Sequence, residues 1–152
     1  MSFIATAPAS EGTVTNDGFW PAINLEQLQL TMRLDGTVTA ERLQHATINA
    51  VILANRDLAS WQQAQRDKGY AALDAVPARS INGTSELQYL YLRAVYCLTK
   101  ANLNERYSDY DSTAAKVGDD DAQQSTVNDL KRDAAFAIRD LMGLTHVTVE
   151  LI

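Results

Sequence analysis

The chain has 152 residues, of which 46% are hydrophobic, 21% are charged and 7% are aromatic. Its 13 Lys and Arg against 19 Asp and Glu give a formal net charge of -6. This sign argues against a general nucleic-acid binder, which needs a basic surface to displace counterions from phosphates. The length suits one domain with a sizeable core. No apolar stretch approaches the roughly 18 residues of a membrane span, and the first residues lack the pattern of a secretory signal. We therefore expect a soluble protein that is intracellular or is assembled from an intracellular pool.

The first 18 residues are predicted to form an extended arm. Ala, Ser, Thr, Gly and Pro dominate this segment, and its larger apolar side chains are Phe3, Ile4 and Val14. Alone, such a segment buries too little surface to offset the entropy lost on ordering. We therefore expect residues 1–18 to be flexible in the free protein and held by a partner, with Phe3 and Ile4 in the contact.

Two helices are predicted between residues 24 and 68. Asn24 followed by Gln27 resembles a capping box that opens a short helix ending near residue 34. Thr39 is a suitable N-cap for a long amphipathic helix that Gly69 ends. The residues expected to face the core are Leu43, Ala46, Thr47, Ala50, Val51, Ala54, Leu58 and Trp61.

The second half of the chain predicts a loop and two further helices. Pro77 and the Asn82-Gly83 pair indicate the loop, and Ser85 with Gln88 begins a helix that fades near residue 107. A polar acidic loop is predicted over residues 109–121, followed by a long helix that Gly143 caps. The acidic residues of this loop are Asp109, Asp111, Asp119, Asp120 and Asp121.

The last eight residues change from helical to alternating periodicity. Thr145 starts a segment in which Val147, Val149 and Leu151 share one face, and the chain ends at Ile152. This pattern predicts a short strand over residues 145–152. An isolated strand is unstable in water, so we expect it to pair with another chain, the alternative being that it folds back along its own helices.

The fold class that these elements predict is mainly α, a bundle of about four helices with an extended N-terminal arm and a short C-terminal β-strand. We divide the chain into the arm at 1–18, a helical domain at 19–143 and a C-terminal strand or tail at 144–152.

No catalytic or metal-binding constellation emerges from the residues. His45 and His146 lie far apart in the sequence, and Cys97 on a core helix is predicted to be a buried hydrophobe. The segment from Asp109 to Asp120 imitates a calcium-binding loop, but Ala114 stands where such a loop needs glycine and an Asp closes it in place of the longer Glu. We expect no cofactor, no metal and no enzymatic activity.

Several segments, taken in order, resemble the head-completion proteins (GPL type) of bacteriophages with contractile tails. They are FWP at 19–21, MRLDGTVT at 32–39, RL at 42–43, Trp61, VPA at 76–78, RAVY at 93–96, ERYSD at 105–109, RDA at 132–134, IRD at 138–140 and TVELI at 148–152. The resemblance runs from about residue 16 to the end, and the order of the segments carries it.

The resemblance implies a structural virion protein that binds the portal after DNA packaging. In that role it forms a ring (dodecameric, from the resemblance) that extends the DNA channel, helps to retain the genome and presents a platform for a tail-terminator or neck protein. Genomic DNA would pass without specific binding, since an acidic wall repels phosphate, and no membrane is involved. Its place would be the head–tail neck of the virion, and the host cytoplasm during assembly.

Candidate interface residues follow from this role. We expect Phe3, Ile4, Thr145, Val147, Val149, Leu151 and Ile152 to contact the portal or a neighbouring subunit. The five acidic residues of the 109–121 segment are expected to face the channel or the tail.

Two other classes of function compete with this interpretation. A helical ligand-binding or enzymatic domain would need convergent polar groups in a pocket. A DNA-binding regulator would need a basic recognition helix, but acidic residues dilute the arginines of the 39–68 helix.

Overall fold

The computed structural model describes residues 12–34, 36–111 and 117–145, with side chains described outside residues 107–123. Within these ranges it contains five α-helices and two antiparallel two-stranded hairpins, so the predicted mainly α class is confirmed. The fifth helix arises because one predicted helix is divided into two.

The chain enters the fold through a small hairpin and a short helix. Strand β1 (Thr13–Val14) pairs with β2 (Ile23–Asn24), and helix α1 (Leu25–Thr31) follows directly. The predicted cap is confirmed, since the Asn24 side chain accepts a hydrogen bond of 2.9 Å from the Gln27 backbone N–H. The helix ends three residues earlier than predicted.

Residues 12–18 of the predicted arm pack into the folded domain. Val14 is buried, and the backbone N–H of Leu25 donates to the Gly12 carbonyl at 3.1 Å. Local composition suggested that these residues are flexible. Their contacts are with other parts of the chain, which local composition does not reveal. Phe3 and Ile4 lie outside the described residues.

Two truncations of the N-terminus should therefore differ in their effect on stability. Deleting residues 1–15 removes β1 and the burial of Val14, so we expect a loss of about 2 kcal/mol in the free energy of unfolding. Deleting residues 1–11 keeps β1 and serves as the matched control. Urea unfolding followed by circular dichroism makes the comparison, and equal midpoints for the two truncated proteins would contradict the expectation.

The predicted long helix over residues 39–68 is two helices. Thr39 caps helix α2 (Ala40–Asp57) by accepting a hydrogen bond of 3.3 Å from the Arg42 N–H, as predicted. Leu58, fully buried with φ -97° and ψ 2°, then separates α2 from helix α3 (Ala59–Asp67). Trp61 of α3 packs against Phe19 with ring centroids 6.3 Å apart, a contact that sequence periodicity alone does not reveal.

A second hairpin occupies part of the loop predicted after α3. Gly69, with φ 94°, ends the helix as expected, and a 3₁₀ turn forms at Leu73–Ala75. Strands β3 (Ser80–Ile81) and β4 (Thr84–Ser85) then pair across Asn82 and Gly83. Both turn residues have positive φ, the geometry of the tight turn that Asn-Gly pairs favour. The Asn-Gly pair is a signal for a hairpin, although we interpreted it as part of a loop.

Helix α4 (Glu86–Asp111) is the centre of the bundle. It packs against α2 on one side and helix α5 (Val117–Leu141) on another, while α2 and α5 have few or no contacts within the described residues. Its side chains are consequently buried around most of the helix, including Tyr96, Cys97, Thr99 and Leu103, which the one-sided pattern did not predict.

The predicted acidic loop over residues 109–121 is wrong for most of its length. Residues 109–111 continue α4 and residues 117–121 begin α5, which leaves 112–116 outside the described residues. Acidic side chains suit the start of a helix, where backbone N–H groups carry partial positive charge. Packing between α4 and α5 extends both helices beyond the limits that local polarity suggested.

Candidate interaction surfaces

An aromatic cluster joins the N-terminal segment to helices α3 and α4. The Trp20 indole is 3% exposed and stacks on Tyr91 of α4, with ring centroids 4.7 Å apart. Trp61 of α3 also stacks on Trp20, with ring centroids 5.9 Å apart, and Phe19 meets Trp20 edge-on at a centroid distance of 4.9 Å. Arg66 lies above the Phe19 ring, 5.6 Å from its centroid. The cluster fixes the segment that follows β1 against the bundle.

A closed triangle of hydrogen bonds lies beside this cluster. Asn16 Nδ2 donates to the Tyr91 hydroxyl at 2.9 Å, and that hydroxyl donates to Asn55 Oδ1 at 2.6 Å. Asn55 Nδ2 completes the cycle by donating to Asn16 Oδ1 at 2.9 Å. Burial raises the pKa of Tyr91 far above its ordinary value, so the hydroxyl keeps the proton that the cycle needs. The N-terminal segment, α2 and α4 are thus joined by one network.

Asp17 forms a second polar attachment. Its carboxylate accepts hydrogen bonds from the backbone N–H groups of Phe19 and Trp20 at 3.1 and 3.2 Å, and from Gln62 Nε2 at 2.8 Å. Partial burial raises the pKa of Asp17, but these hydrogen bonds, with the charge of Arg66, outweigh it and leave the pKa below its ordinary value. The charged form therefore stabilises the contact between the N-terminal segment and α3.

This pKa predicts an acid-dependent loss of stability. Because the folded-state pKa of Asp17 lies below its ordinary value of 3.8, its contribution is complete above that pH and is lost as the pH falls through the folded-state value. The carboxylate is exposed, so the contribution should be under about 1 kcal/mol. Replacing Asp17→Asn should lower the melting temperature at pH 7, and the difference from the parent should shrink towards pH 3.

A surface aspartate provides the control for this pH experiment. Asp67 accepts one hydrogen bond from Gln63 on the exposed side of α3. Melting curves of Asp67→Asn between pH 3 and 7 should stay close to the parent. A difference for Asp17→Asn that does not change with pH would contradict the role assigned to its charge.

Apolar side chains reach solvent on several helices. Ile48 and Ile52, four residues apart on α2, are 40% and 50% exposed, and Phe136 on α5 is 38% exposed. The other exposed large apolar residues in the described ranges are Leu30, Leu53, Ile81, Tyr89 and Leu144. Ile48 and Ile52 lie outside the set predicted to face the core, and that omission was the available signal for a surface role.

Two cavities lie at the surface of the described fold. One, of about 380 Å³, lies at the β3–β4 hairpin and has Asp74 as its acidic side chain. Another, of about 210 Å³, includes Arg33 and Lys100, and Lys100 Nζ donates to the Met32 carbonyl at 3.0 Å. Among the described residues no three metal-binding side chains converge, and no helix has the length and hydropathy needed to cross a membrane.

The surroundings of Cys97 disfavour a reactive thiolate. Its side chain is 6% exposed in the core, and burial raises its pKa, with the nearby charge of Asp133 acting in the same direction. A thiol with a raised pKa holds little thiolate at neutral pH.

Thr145 is the one predicted interface residue that lies within the described ranges. Thr145 is the last described residue, and its carbonyl accepts a hydrogen bond of 2.9 Å from Arg139 Nη2. Gly143, with φ 73°, ends α5 as predicted and turns the chain towards this bond. Residues 146–152, including Val147, Val149, Leu151 and Ile152, lie outside the described residues, as do Phe3 and Ile4.

The predicted acidic residues are gathered at one end of the α4–α5 pair. Asp109 and Asp111 belong to the last turn of α4, and Asp119, Asp120 and Asp121 belong to the beginning of α5. Because five residues connect these helix ends, all five positions lie near the same tip. These five positions, which we predicted to lie in a loop, therefore belong to the ends of two helices.

Comparison with known proteins places this bundle in a family. Residues 14–152 match the family of phage head completion proteins (GPL), so the chain belongs to that family, whose members are virion components. It is 31% identical to the head completion/stabilization protein of Escherichia phage P2, over 93% of this chain and 84% of that protein. It is 24% identical to the probable head completion/stabilization protein of Haemophilus phage HP1, over 97% of each chain. No solved structure matches.

Proposed function

We propose that this protein completes the filled phage head at the portal vertex. In this proposal it binds the portal after DNA packaging, forms a ring that extends the channel, helps to retain the genome and presents the platform for a tail-terminator or neck protein. The observation that carries the proposal is membership of the head completion family over residues 14–152. The role is structural and not catalytic.

Two properties of the chain support a role along a DNA channel. The formal charge of -6 disfavours adhesion to phosphate, which lets DNA pass. Helices α4 and α5, of 26 and 25 residues, form a long antiparallel pair whose tip carries Asp109, Asp111 and Asp119–Asp121. We assign this acidic tip to the channel or to the tail-facing rim.

The two ends of the chain are proposed as attachments to neighbours. Phe3 and Ile4 contribute the apolar part of the N-terminal contact. Thr145, Val147, Val149, Leu151 and Ile152 contribute the C-terminal one, in which residues 145–152 add a strand to a sheet of the portal or of an adjacent subunit. Main-chain hydrogen bonds would supply affinity and the alternate side chains specificity.

The test uses DNA-filled heads isolated from cells that lack this protein. Adding the purified protein should protect the packaged DNA from nuclease and place ring density at one vertex in electron micrographs. Heads that remain nuclease-sensitive, with no added density, would overturn the proposed function.

Deleting residues 146–152 tests the C-terminal attachment separately. We expect the shortened protein to lose head binding while its free energy of unfolding changes by less than about 1 kcal/mol, since it lacks only a peripheral element. Sedimentation with heads measures binding, and urea unfolding measures stability. A shortened protein that binds heads as well as the parent would contradict the assignment.

A further inference from the structure

We propose that the cavity between the end of α1 and α4 binds a phosphate group of the packaged DNA, with Arg33 and Lys100 as its cationic groups. This inference rests on the proposed function, in which the protein lies on the path of the DNA, and it assigns residues to the retention of the genome. Contacts to phosphate carry no sequence information, so they suit a protein that DNA of any sequence passes.

The cavity lies where three parts of the described chain meet, and its volume is about 210 Å³. The lining residues come from the end of α1, the approach to α2 and the second half of α4: Arg33, Leu34, Thr37, Val38, Lys100, Leu103 and Asn104. The polar members of this set are an arginine, a threonine, a lysine and an asparagine, and each can donate hydrogen bonds. Among the described residues no carboxylate lines the cavity, although the chain has 19 Asp and Glu. Such a lining suits an anion.

Arg33 occupies a backbone position that glycine ordinarily fills. Its side chain is exposed and its φ is 54°, in the left-handed region. The Arg33 N–H donates to the Leu30 carbonyl at 3.3 Å. The next N–H, that of Leu34, donates to the Gln29 carbonyl at 3.0 Å. These two bonds form a Schellman motif, whose left-handed residue is usually glycine because a Cβ atom disfavours that conformation.

Two other helices of the chain end in the same motif and use glycine. Gly69 after α3 has φ 94°, and Gly143 after α5 has φ 73°. At both ends the glycine N–H bonds the carbonyl three residues back, and the following N–H bonds the carbonyl five residues back, as at Arg33. The end of α1 thus carries an arginine at a conformational cost that the other two ends avoid. Such a cost points to a use for the side chain.

Lys100 and the start of α2 bring further positive charge to the cavity. Lys100 Nζ donates to the Met32 carbonyl at 3.0 Å, which holds the ammonium beside the residue that precedes Arg33. This bond uses one of the three N–H donors of the ammonium. Thr37 and the other residue before the cap of α2 also line the cavity, and the first N–H groups of an 18-residue helix carry partial positive charge. The two cations and the helix end therefore act on the same space.

The donor types in the cavity match those that bind nucleic-acid backbones. Arg, Lys, Thr and Asn side chains, with helix N-termini, are typical donors to phosphate oxygens. The formal charge of -6 opposes DNA binding elsewhere on the surface, so a single copy should hold DNA only weakly. A ring repeats the contact in every copy, and linked weak contacts add up to a strong one. Retention of DNA would thus depend on the assembled ring.

Photo-cross-linking on DNA-filled heads tests the contact. An aryl azide attached to Asn104→Cys lies at the cavity, so irradiation should join the protein to the packaged DNA. Ile81→Cys is the matched control, since Ile81 is 55% exposed on the β3–β4 hairpin, outside the cavity. We expect at least about fivefold more DNA adduct from Asn104→Cys than from Ile81→Cys, and the yield should fall as salt rises. The parent chain measures the background from buried Cys97.

Charge variants in the Asn104→Cys background identify the side chains that hold the DNA. Arg33→Gly should lower the adduct yield by at least about fivefold, whereas Arg33→Lys keeps the charge and should retain most of it. Arg56→Gln removes the same charge from an exposed position on α2 outside the cavity and should leave the yield unchanged. Asp35→Asn removes a negative charge two positions from Arg33 and should raise the yield.

Arg33→Gly also separates a binding role from a structural one. Glycine suits the left-handed backbone, so the urea midpoint of this variant should equal or exceed that of the parent. Sedimentation should show the parental number of copies on the heads, while protection of the DNA from nuclease falls. A merely structural role of Arg33 would not combine lost DNA contact with unchanged folding and head binding.

The outcomes separate the cavity from the proposed function. Parent-like binding to heads with equal adduct yields from Asn104→Cys and Ile81→Cys would overturn the DNA contact and leave head completion standing. Adducts of Asn104→Cys with a second copy of the protein in place of DNA would show that the cavity takes a carboxylate of a neighbour, which also overturns the proposal. Thr37→Cys repeats the measurement from the other side of the cavity if Asn104→Cys fails to bind heads. Heads that never take up the parent protein would overturn the proposed function.

Discussion

Replacing Trp20→Ala should destabilise the protein by about 3–5 kcal/mol, the usual range for removing a buried tryptophan. The indole is 3% exposed and stacks on both Tyr91 and Trp61, so its loss opens a cavity where the N-terminal segment, α3 and α4 meet. Urea unfolding followed by far-ultraviolet circular dichroism measures the change. A domain of this size has roughly 5–15 kcal/mol of stability in all, so the variant should be marginal at 37 °C.

Two further variants test whether the buried position of the Trp20 ring causes the loss of stability. Trp61→Ala removes the same side chain from a half-buried position and should cost less than Trp20→Ala. Trp20→Phe keeps an aromatic ring and removes an indole N–H that finds no acceptor among the described residues, so it should cost less than Trp20→Ala as well. Equal losses for Trp20→Ala and Trp61→Ala would contradict the central position of Trp20.

Local signals in the sequence predicted the ends of helices well. Asn24 and Thr39 cap α1 and α2, and Gly69 and Gly143 follow α3 and α5 with positive φ. Caps depend on a side chain and backbone groups within four residues, so the sequence carries the whole interaction. The same holds for the hairpin at Asn82 and Gly83, whose signal was present but was interpreted as a loop.

Features that depend on distant residues were not predictable in this way. Asn16 looks like part of a flexible arm until its partners Asn55 and Tyr91, 39 and 75 residues away, are brought to it by the fold. The break between α2 and α3 at Leu58 was likewise not predicted. Helical periodicity continues through Leu58 and gives no sign of the break.

The candidate interaction surfaces also differ in how far the sequence alone could predict them. The acidic positions could be found from composition, although their place at the tip of two helices required the fold. Ile48 and Ile52 lie off the predicted inward side of α2, and their exposure in the structure makes them surface candidates. The terminal segments, which the sequence singled out first, remain predictions.

Replacing Tyr91→Phe should cost about 2–3 kcal/mol, because it removes one corner of the hydrogen-bonded triangle and keeps the aromatic ring. The hydroxyl donates to Asn55 Oδ1 at 2.6 Å and accepts from Asn16 Nδ2 at 2.9 Å, so its loss removes the donor to the partly buried Asn55 Oδ1 and one of the two acceptors of Asn16 Nδ2. Tyr89→Phe is the matched control on the same helix. Its exposed hydroxyl donates to the Ile81 carbonyl at 3.0 Å, and its removal should cost less than about 1 kcal/mol.

Coupling within the triangle distinguishes a network from three independent bonds. Each member of a closed cycle depends on the other two for its geometry, so Asn55→Ala should cost much less in the Tyr91→Phe background than in the parent. Urea unfolding of the two single variants and the double variant gives this coupling energy, which we expect to be at least about 1 kcal/mol. Additive losses would mean that the bonds act separately, and that the N-terminal segment is attached chiefly through the aromatic cluster around Trp20.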